Sequence, residues 1–352
     1  MNKINVMIYP LTPENCYIYD HKELLNKFNI TYAVADDFLE TKKYCSASFD
    51  DCVRMNEVDA LLVLPIKSEN ISKVIFRIEE ALEAGKNTFS MISFSDSIID
   101  KFNCICLRTH TSFQILNIEN IENAEIQSRE LWEIETPIVT IAGISENCGL
   151  VDLQLAIRKY FQNRNYRISQ IGSFEYCNLF GLHSFPKYMN RNSIVSVIDQ
   201  TLLFNHFIKE LEIRERPDLI IISLPDSLLP YNNKFHFGFG NTSFIACNAF
   251  TSDYTIISLP LQQYQSNFID EAENLLECRF NLRPDTWIMS NVFANYSEVE
   301  NEEYIRYYFF GSDEVSKMIA ASDSRIINGV NPNTIERLCN NIINMLSENT
   351  IY

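Results

Sequence analysis

The chain has 352 residues, 46% of them hydrophobic and 12% aromatic, with 11 prolines; this is enough apolar surface for two compact α/β domains and excludes an intrinsically disordered chain. With 29 basic against 46 acidic residues the formal charge is −17, so a phosphodiester backbone would be repelled and no nucleic-acid partner is expected. No apolar run approaches the ~18 residues of a membrane span, and Met1-Asn2-Lys3-Ile4-Asn5 opens no signal-peptide core, so a cytoplasmic protein with no membrane partner is expected.

Along the chain, a strand is predicted over residues 4–9, stopped by Pro10, then a helix over 22–28 and a strand over 30–35. The run from Val58 to Leu64 is largely apolar and ends at Pro65, as for a strand covered on both faces. A helix is predicted over 69–84, because Ile71, Val74, Ile75, Ile78 and Leu82 recur at helical spacing and Gly85 stands where a cap belongs; 87–92 then resumes as strand. Cys104-Ile105-Cys106 with His110 four residues on could begin a metal site, but the alternation over 103–107 reads as a half-buried strand. No metal is expected, and the ten scattered cysteines read as reduced thiols. Glu119, Glu122, Glu125, Glu130, Glu133 and Glu135 mark an acidic connection. The expected organisation is a small Rossmann-like α/β domain over 1–115, the connection over 116–136, and a second domain over 137–352.

In the second domain strands are predicted over 138–143, 167–173, 218–224, 254–259, 286–291 and 325–330. Helices are predicted over 150–162, 193–210, 268–278, 313–321 and 333–346. This alternation implies an α/β fold with a mainly parallel, doubly wound sheet, whose ligands collect at the carboxyl ends of its strands, in the loops after Ala142, Gly172, Leu224 and Ser290.

The first of these loops, Gly143-Ile144-Ser145-Glu146-Asn147-Cys148-Gly149-Leu150-Val151, carries two of only nine glycines in the chain. Its spacing resembles the phosphate loop of the dethiobiotin-synthetase-like and MinD-like branch of P-loop proteins: glycine, five residues, glycine, lysine, threonine. Lysine there reaches the β/γ-phosphates and the hydroxyl holds Mg²⁺, whereas this chain has Leu150 and Val151. Gly143, Ser145, Asn147 and Gly149 remain the candidate cofactor-binding residues through their amides, ATP or GTP being what such a loop takes; an ordinary strand-to-helix turn is the alternative. After the later strand the branch carries Asp-x-Pro-x-Gly, where this chain has Ser223 and Ser227; Asp226 is a candidate to reach an ion, or a solvated loop carboxylate. Asn291 ends a strand where the branch presents an asparagine to a base, and also reads as a turn cap.

The stretch from Arg167 to Pro186 mixes aromatic and polar groups as a pocket wall or peptide-docking surface does, and Gln170, Ser173, His183 and Phe185 are the candidate contacts. Cys177 and His183 are a candidate nucleophile and base with no third orienting group in view; a packed aromatic loop is the alternative.

Taken together, the 138–143 strand with its altered loop, Leu153-Gln154-Leu155, Ser169-Gln170-Ile171-Gly172-Ser173, Gly181-Leu182-His183-Ser184-Phe185-Pro186, the 217–230 segment and the opening strand ending Ile8-Tyr9-Pro10 resemble the peptide maturation system proteins of clostridial natural-product clusters. The resemblance extends over nearly the whole chain. Members often keep Cys-Gly-Lys where this chain has Cys148-Gly149-Leu150, and Pro-Gly-Gly where it has Pro225-Asp226-Ser227. The resemblance implies an accessory role in maturing a ribosomally made peptide. Its expected partners are a precursor peptide and a peptide-modifying enzyme such as a radical SAM protein, with a homodimer as a further option. On this reading residues 137–352 form a degenerate P-loop domain, a pseudo-NTPase. The enzyme alternative is an NTP-dependent ligase or ATPase taking its missing cation from a partner or from Lys159 or Lys187, and a purely structural subunit is a third reading.

Overall fold

The computed structural model describes residues 3–12, 15–35, 48–65, 71–116, 126–145, 147–190, 193–230, 239–295 and 306–349. The chain divides into two units, Met1–Ile118 with Asn178–Gly181, and Glu119–Cys177 with Leu182–Tyr352.

The first unit runs β1 (Ile4–Tyr9), α1 (Tyr17–Asp20), β2 (Phe28–Ala33), α2 (Phe49–Val53), β3 (Ala60–Val63), α3 (Ile71–Glu83), β4 (Asn87–Ser90), α4 (Asp96–Thr109) and β5 (Phe113–Ile115). The strands form one parallel sheet in the order β2-β1-β3-β4-β5. All four residues of β3 are buried, which is what its unbroken apolar run requires. Val74, Ile78, Ala81 and Leu82 of α3 bury with Phe102, Ile105 and Cys106 of α4 and with Met7, Tyr9, Leu61 and Val63 of the sheet. At the end of α3, Gly85 is left-handed (φ 78°), and the amides of Gly85 and Lys86 return to Leu82 and Ala81, closing the helix as the glycine predicted.

Two local expectations are corrected. Cys104, Ile105 and Cys106 lie in α4, not in a strand: Phe102, Ile105 and Cys106 are buried at helical spacing while Cys104 and Leu107 face out. Five residues of alternating polarity are too few to fix a period. The predicted helix over 22–28 shrinks to one 3₁₀ turn, Lys22–Leu24, because Phe28 is already a buried member of β2.

The second unit contains β6 (Ile138–Gly143), α5 (Leu150–Asn163), β7 (Ile168–Gly172), β8 (His183–Ser184), α6 (Val197–Glu215), β9 (Leu219–Ser227), α7 (Asn241–Cys247), β10 (Tyr254–Leu259), α8 (Ser266–Phe280), β11 (Thr286–Met289), β12 (Val292–Asn295), β13 (Arg306–Phe309), α9 (Ser312–Ala320), β14 (Ile326–Asn328) and α10 (Pro332–Asn349). Seven strands form a parallel sheet in the order β14-β11-β10-β6-β9-β7-β8. One face packs against α6, α7 and α8 through residues such as Phe204, Leu211, Ala246 and Leu276. The other packs against α5 and α10 through Leu153, Ile157, Phe161, Leu338 and Ile342. The chain is therefore α/β, with a parallel sheet wound on both faces as the alternating pattern predicted. The acidic connection, where described, runs along α6: Asn205 holds both the amide and the carbonyl of Trp132 (2.7 and 3.0 Å). Glu212 accepts from the amides of Glu135 and Thr136 (2.8 and 2.6 Å). Short elements that the sequence pattern did not announce are α1, α2, β5, β8, α7 and the antiparallel ribbon β12-β13.

Candidate functional site

The first strand of the second unit, β6, lies between β9 and β10. The connection from β6 leads to one side of the sheet and β10 is added on the other, so the order reverses at β6 and opens a crevice at its carboxyl end. Loop residues 144, 145 and 147–149 occupy that position, followed by the amino terminus of α5.

The glycines of this loop are needed because the turn is filled. A Cβ at Gly143 would stand 2.2 Å from the Sγ of Cys148 and 2.9 Å from the carbonyl oxygen of Ser145. The Cys148 side chain folds back into the turn, is fully buried and donates to the Ser145 carbonyl at 3.0 Å, while Ser258 donates to the Cys148 carbonyl at 2.6 Å. Burial pushes the thiol up to about 11, so it is neutral and inert at physiological pH. Asn147 and Gly149 both have positive φ (52° and 72°), and a Cβ at Gly149 would meet that of Ser290 at 2.8 Å. Of the four candidate residues, Gly143 and Ser145 are buried, Gly149 starts α5, and Asn147 is exposed. Leu150, in the lysine position, is half-buried and its Cδ1 reaches to 3.2 Å of the Gly143 Cβ position. It leans back over the loop as an apolar cover.

Beneath the loop, where the resembled branch places its metal-holding aspartate, lies a neutral network of hydroxyls and amides. Ser223 is fully buried and shares a hydrogen bond with Ser173 at 3.0 Å. The Gln154 amide donates to Ser173 Oγ (3.2 Å) and to the Leu150 carbonyl (3.0 Å), and accepts from the Ser173 amide (3.4 Å). Gln170 donates to the Gln154 carbonyl at 3.2 Å. Hydroxyls and amides so engaged carry no charge with which to organise Mg²⁺. Ser227, where the resembled branch has glycine, places its hydroxyl between the carbonyl oxygens of Ile144 (2.7 Å) and Leu229 (2.6 Å), either of which can take its one proton, fastening β9 to the loop.

Asp226 sits in a left-handed turn (φ 69°) and accepts from the Thr242 amide at 3.1 Å, in the first turn of α7. It is engaged as a helix cap. Asn291 donates to the Phe310 carbonyl at 3.3 Å and its own carbonyl accepts from the Phe310 amide at 2.9 Å, so this side chain fastens a ribbon strand to the end of β11.

The stretch expected to dock a peptide is divided between roles. Gln170 is fully buried under α5, out of reach of a peptide, and Ser173 belongs to the neutral network. Phe185 is half-buried and stacks on Phe204 (5.0 Å between centroids). The Cys177 thiol is fully buried and bonds the backbone carbonyl of His183 and the Ser184 hydroxyl, both at 3.4 Å. The His183 imidazole instead meets Glu215 at 2.8 Å. The thiol is thus engaged by a peptide oxygen and the ring by a carboxylate, and the two side chains are not hydrogen-bonded to each other. Burial works to raise Glu215, but the Ser169 hydroxyl, His183 and Arg214 together hold it below the ordinary glutamate value. Lys159 is exposed nine residues into α5, about 14 Å along the axis from its start, too far to stand in for the missing cation.

Sequence reasoning missed Gln154, Glu215 and Arg158. Gln154 and Arg158 fall within the buried stripe Leu153, Leu155, Ile157, Tyr160 and Phe161 of α5; a polar side chain inside an apolar stripe is a legible signal. Burial lowers the Arg158 guanidinium, opposed by the charge of Glu215. A cleft of about 810 Å³ lies at the opposite end of the sheet, lined by Trp132, Asn205, Asn248, Asp253, Cys278 and Arg279. Among the described residues no group of His, Cys, Asp and Glu could hold a metal ion, and no helix is long and apolar enough to cross a membrane.

No protein-family model and no curated protein matches the chain. Among solved structures it is similar to a DUF1611 family protein from Anabaena variabilis, with 11% identity, 91% of this chain and 94% of that chain covered, and a TM-score of 0.55. It also aligns with a LAO/AO transport system kinase (9% identity, 81% and 77% covered, TM-score 0.36). With the signal recognition particle receptor FtsY from Elizabethkingia anophelis it shares 10% identity, with 76% and 86% covered and a TM-score of 0.32. The DUF1611 protein shares the overall fold along nearly the full length of both chains.

Proposed function

We propose that the chain is a cytoplasmic accessory protein in the maturation of a ribosomally made peptide. In this reading its P-loop-like unit is a binding module that does not hydrolyse a nucleoside triphosphate. One observation carries the absence of hydrolysis: Leu150 covers the loop where a lysine would extend, and Ser223 is bonded to Ser173, which Gln154 holds in turn, where a carboxylate would hold Mg²⁺. Phosphoryl transfer needs both charges to offset those of the transition state. The peptide-maturation role is supported by the sequence resemblance, whose segments include the strand, loop and helix that build this site.

Titration calorimetry with ATP and GTP in the presence of Mg²⁺, with phosphate release followed in parallel, is expected to give no Mg²⁺-dependent binding and no turnover. Either one overturns the non-hydrolytic reading. Co-expression with a ribosomal precursor peptide and a peptide-modifying enzyme from the same organism is expected to yield a complex, and failure of both to co-purify overturns the accessory role.

A further inference from the structure

The cleft of about 810 Å³ at the opposite end of the sheet is built from the amino ends of β6 and β10, the middle of α6 and the last turns of α7 and α8, all within the second unit. One aromatic wall is fixed in place. Trp132 has its amide and carbonyl held by Asn205, and one face of its indole lies on the His206 imidazole, 3.9 Å between centroids and 20° from parallel. Of the other lining residues, Leu131 and Phe244 stand 53% and 40% exposed, so the cleft offers apolar surface beside its polar groups.

Charge sets the chemistry of the occupant. Arg279 is the one cation among the lining residues. Its guanidinium lies over the Phe239 ring at 3.7 Å and donates through Nη2 to the Phe239 carbonyl (2.7 Å) and to Asn241 (3.3 Å). Nε and Nη1 have no partner among the described residues, and burial lowers the guanidinium with no carboxylate acting against it. Three carboxylates also line the cleft. Glu277 is neutralised by Arg283 at 2.5 Å, Asp253 accepts the Ile138 amide on one oxygen at 2.8 Å, and Glu133 is exposed. The ends of α7 and α8 add carbonyls, because the last four of a helix lack intrahelical partners.

A single stacked guanidinium offsets one negative charge, and its planar fork matches a carboxylate. A phosphate dianion would exceed that charge and be repelled by Glu133 and Asp253. A ligand carrying only a cation would leave Arg279 unmatched. The remaining acceptors, two carboxylates and the helix-end carbonyls, call for N–H donors. One carboxylate beside several N–H groups is the chemistry of a peptide's carboxyl end.

We infer that this cleft binds the free C-terminal end of a peptide, with its carboxylate on Arg279, its N–H groups on the acceptors around it, and an apolar side chain against Trp132, Leu131 and Phe244. The inference rests on the peptide-binding reading above and specifies which surface and which part of the peptide serve it.

The test titrates the full chain into a peptide of about six residues, labelled with fluorescein at its amino end and ending in leucine and phenylalanine with a free carboxylate, read by anisotropy. Saturable binding is expected, with ~tenfold or more weaker binding of the same peptide as its C-terminal amide. Arg279→Gln is expected to bring the two peptides to within ~twofold of each other. Arg279→Lys, which keeps the charge without the fork, is expected to narrow the ratio, and it carries the test if the glutamine variant does not fold. A purely structural role for Arg279 would weaken both peptides alike and leave their ratio unchanged, which overturns the inference. An amide that binds as well as the acid or better, or no saturable binding of either peptide up to about 1 mM, overturns it too. Carboxylate-dependent binding of the synthetic peptide with no co-purification of a precursor would sink the maturation reading and leave the cleft standing. Co-purification of the precursor undisturbed by Arg279→Gln would do the reverse.

Discussion

The space a methyl group would need at Gly143 is held by the Cys148 thiol, 2.2 Å from the position of such a carbon, and by the Ser145 carbonyl at 2.9 Å. Gly143→Ala is therefore expected to destabilise the protein by about 2–3 kcal/mol through overpacking. Cys148→Ala removes the nearer obstacle, so in that background the same change is expected to cost about 1 kcal/mol less, the residue of the cost coming from the Ser145 carbonyl. Urea unfolding of the two single variants and the double variant measures this coupling, and strictly additive costs contradict the packing described. The glycine was visible in the sequence as part of a phosphate-loop spacing. The side chain that makes it necessary was not, because a cysteine in such a loop reads equally as an exposed nucleophile or as filler.

At the scale of elements, Glu215 at the end of α6 ties Ser169 on β7 to His183 on β8. Its folded value is below the ordinary one, so the stabilisation it brings is complete above the unfolded glutamate pKa of about 4.3 and is lost as pH falls through the folded value. Glu215→Gln is expected to cost about 1 kcal/mol at neutral pH, a figure reduced for its partial exposure. The deficit should shrink as the solution is acidified below that unfolded value. Thermal midpoints of the two proteins across this range test the sign; a deficit that grows on acidification refutes it. Helix α5 shows how much of the site could be read in advance. Gln154 and Arg158 interrupt an apolar stripe, which announces buried polar partners, but those partners, Ser173 and Gln170 for Gln154, lie on other elements, and local periodicity carries no information about them. The ribbon was missed for a related reason: four-residue strands crowded with aromatics, separated by a glutamate-rich segment, show too little alternation to register.

For the second unit as a whole, the strand order places β6 at the centre, with all six residues buried between β9 and β10, and β8 and β14 at the edges. Amide exchange is expected to be slowest in β6, β9 and β10, approaching the rate set by global unfolding, and faster in β8 and β14. Exchange mass spectrometry that finds β6 no better protected than the edges would contradict this order. In the first unit the order β2-β1-β3-β4-β5 likewise places the fully buried β3 inside the sheet.

The sequence by itself determined the α/β class, most helices and strands of the two sheets, and the absence of the lysine, hydroxyl and aspartate that nucleotide hydrolysis needs. Each is written in local spacing or residue identity. Only the tertiary structure decided what took their place: Cys148 turned into the loop, Ser223 bonded to Ser173 beside Gln154, His183 turned to Glu215, and three rings gathered on one face of a ribbon. These outcomes depend on which distant segments the sheet order brings together, and that choice is made by burial of the whole apolar surface, not by the neighbours of any one residue.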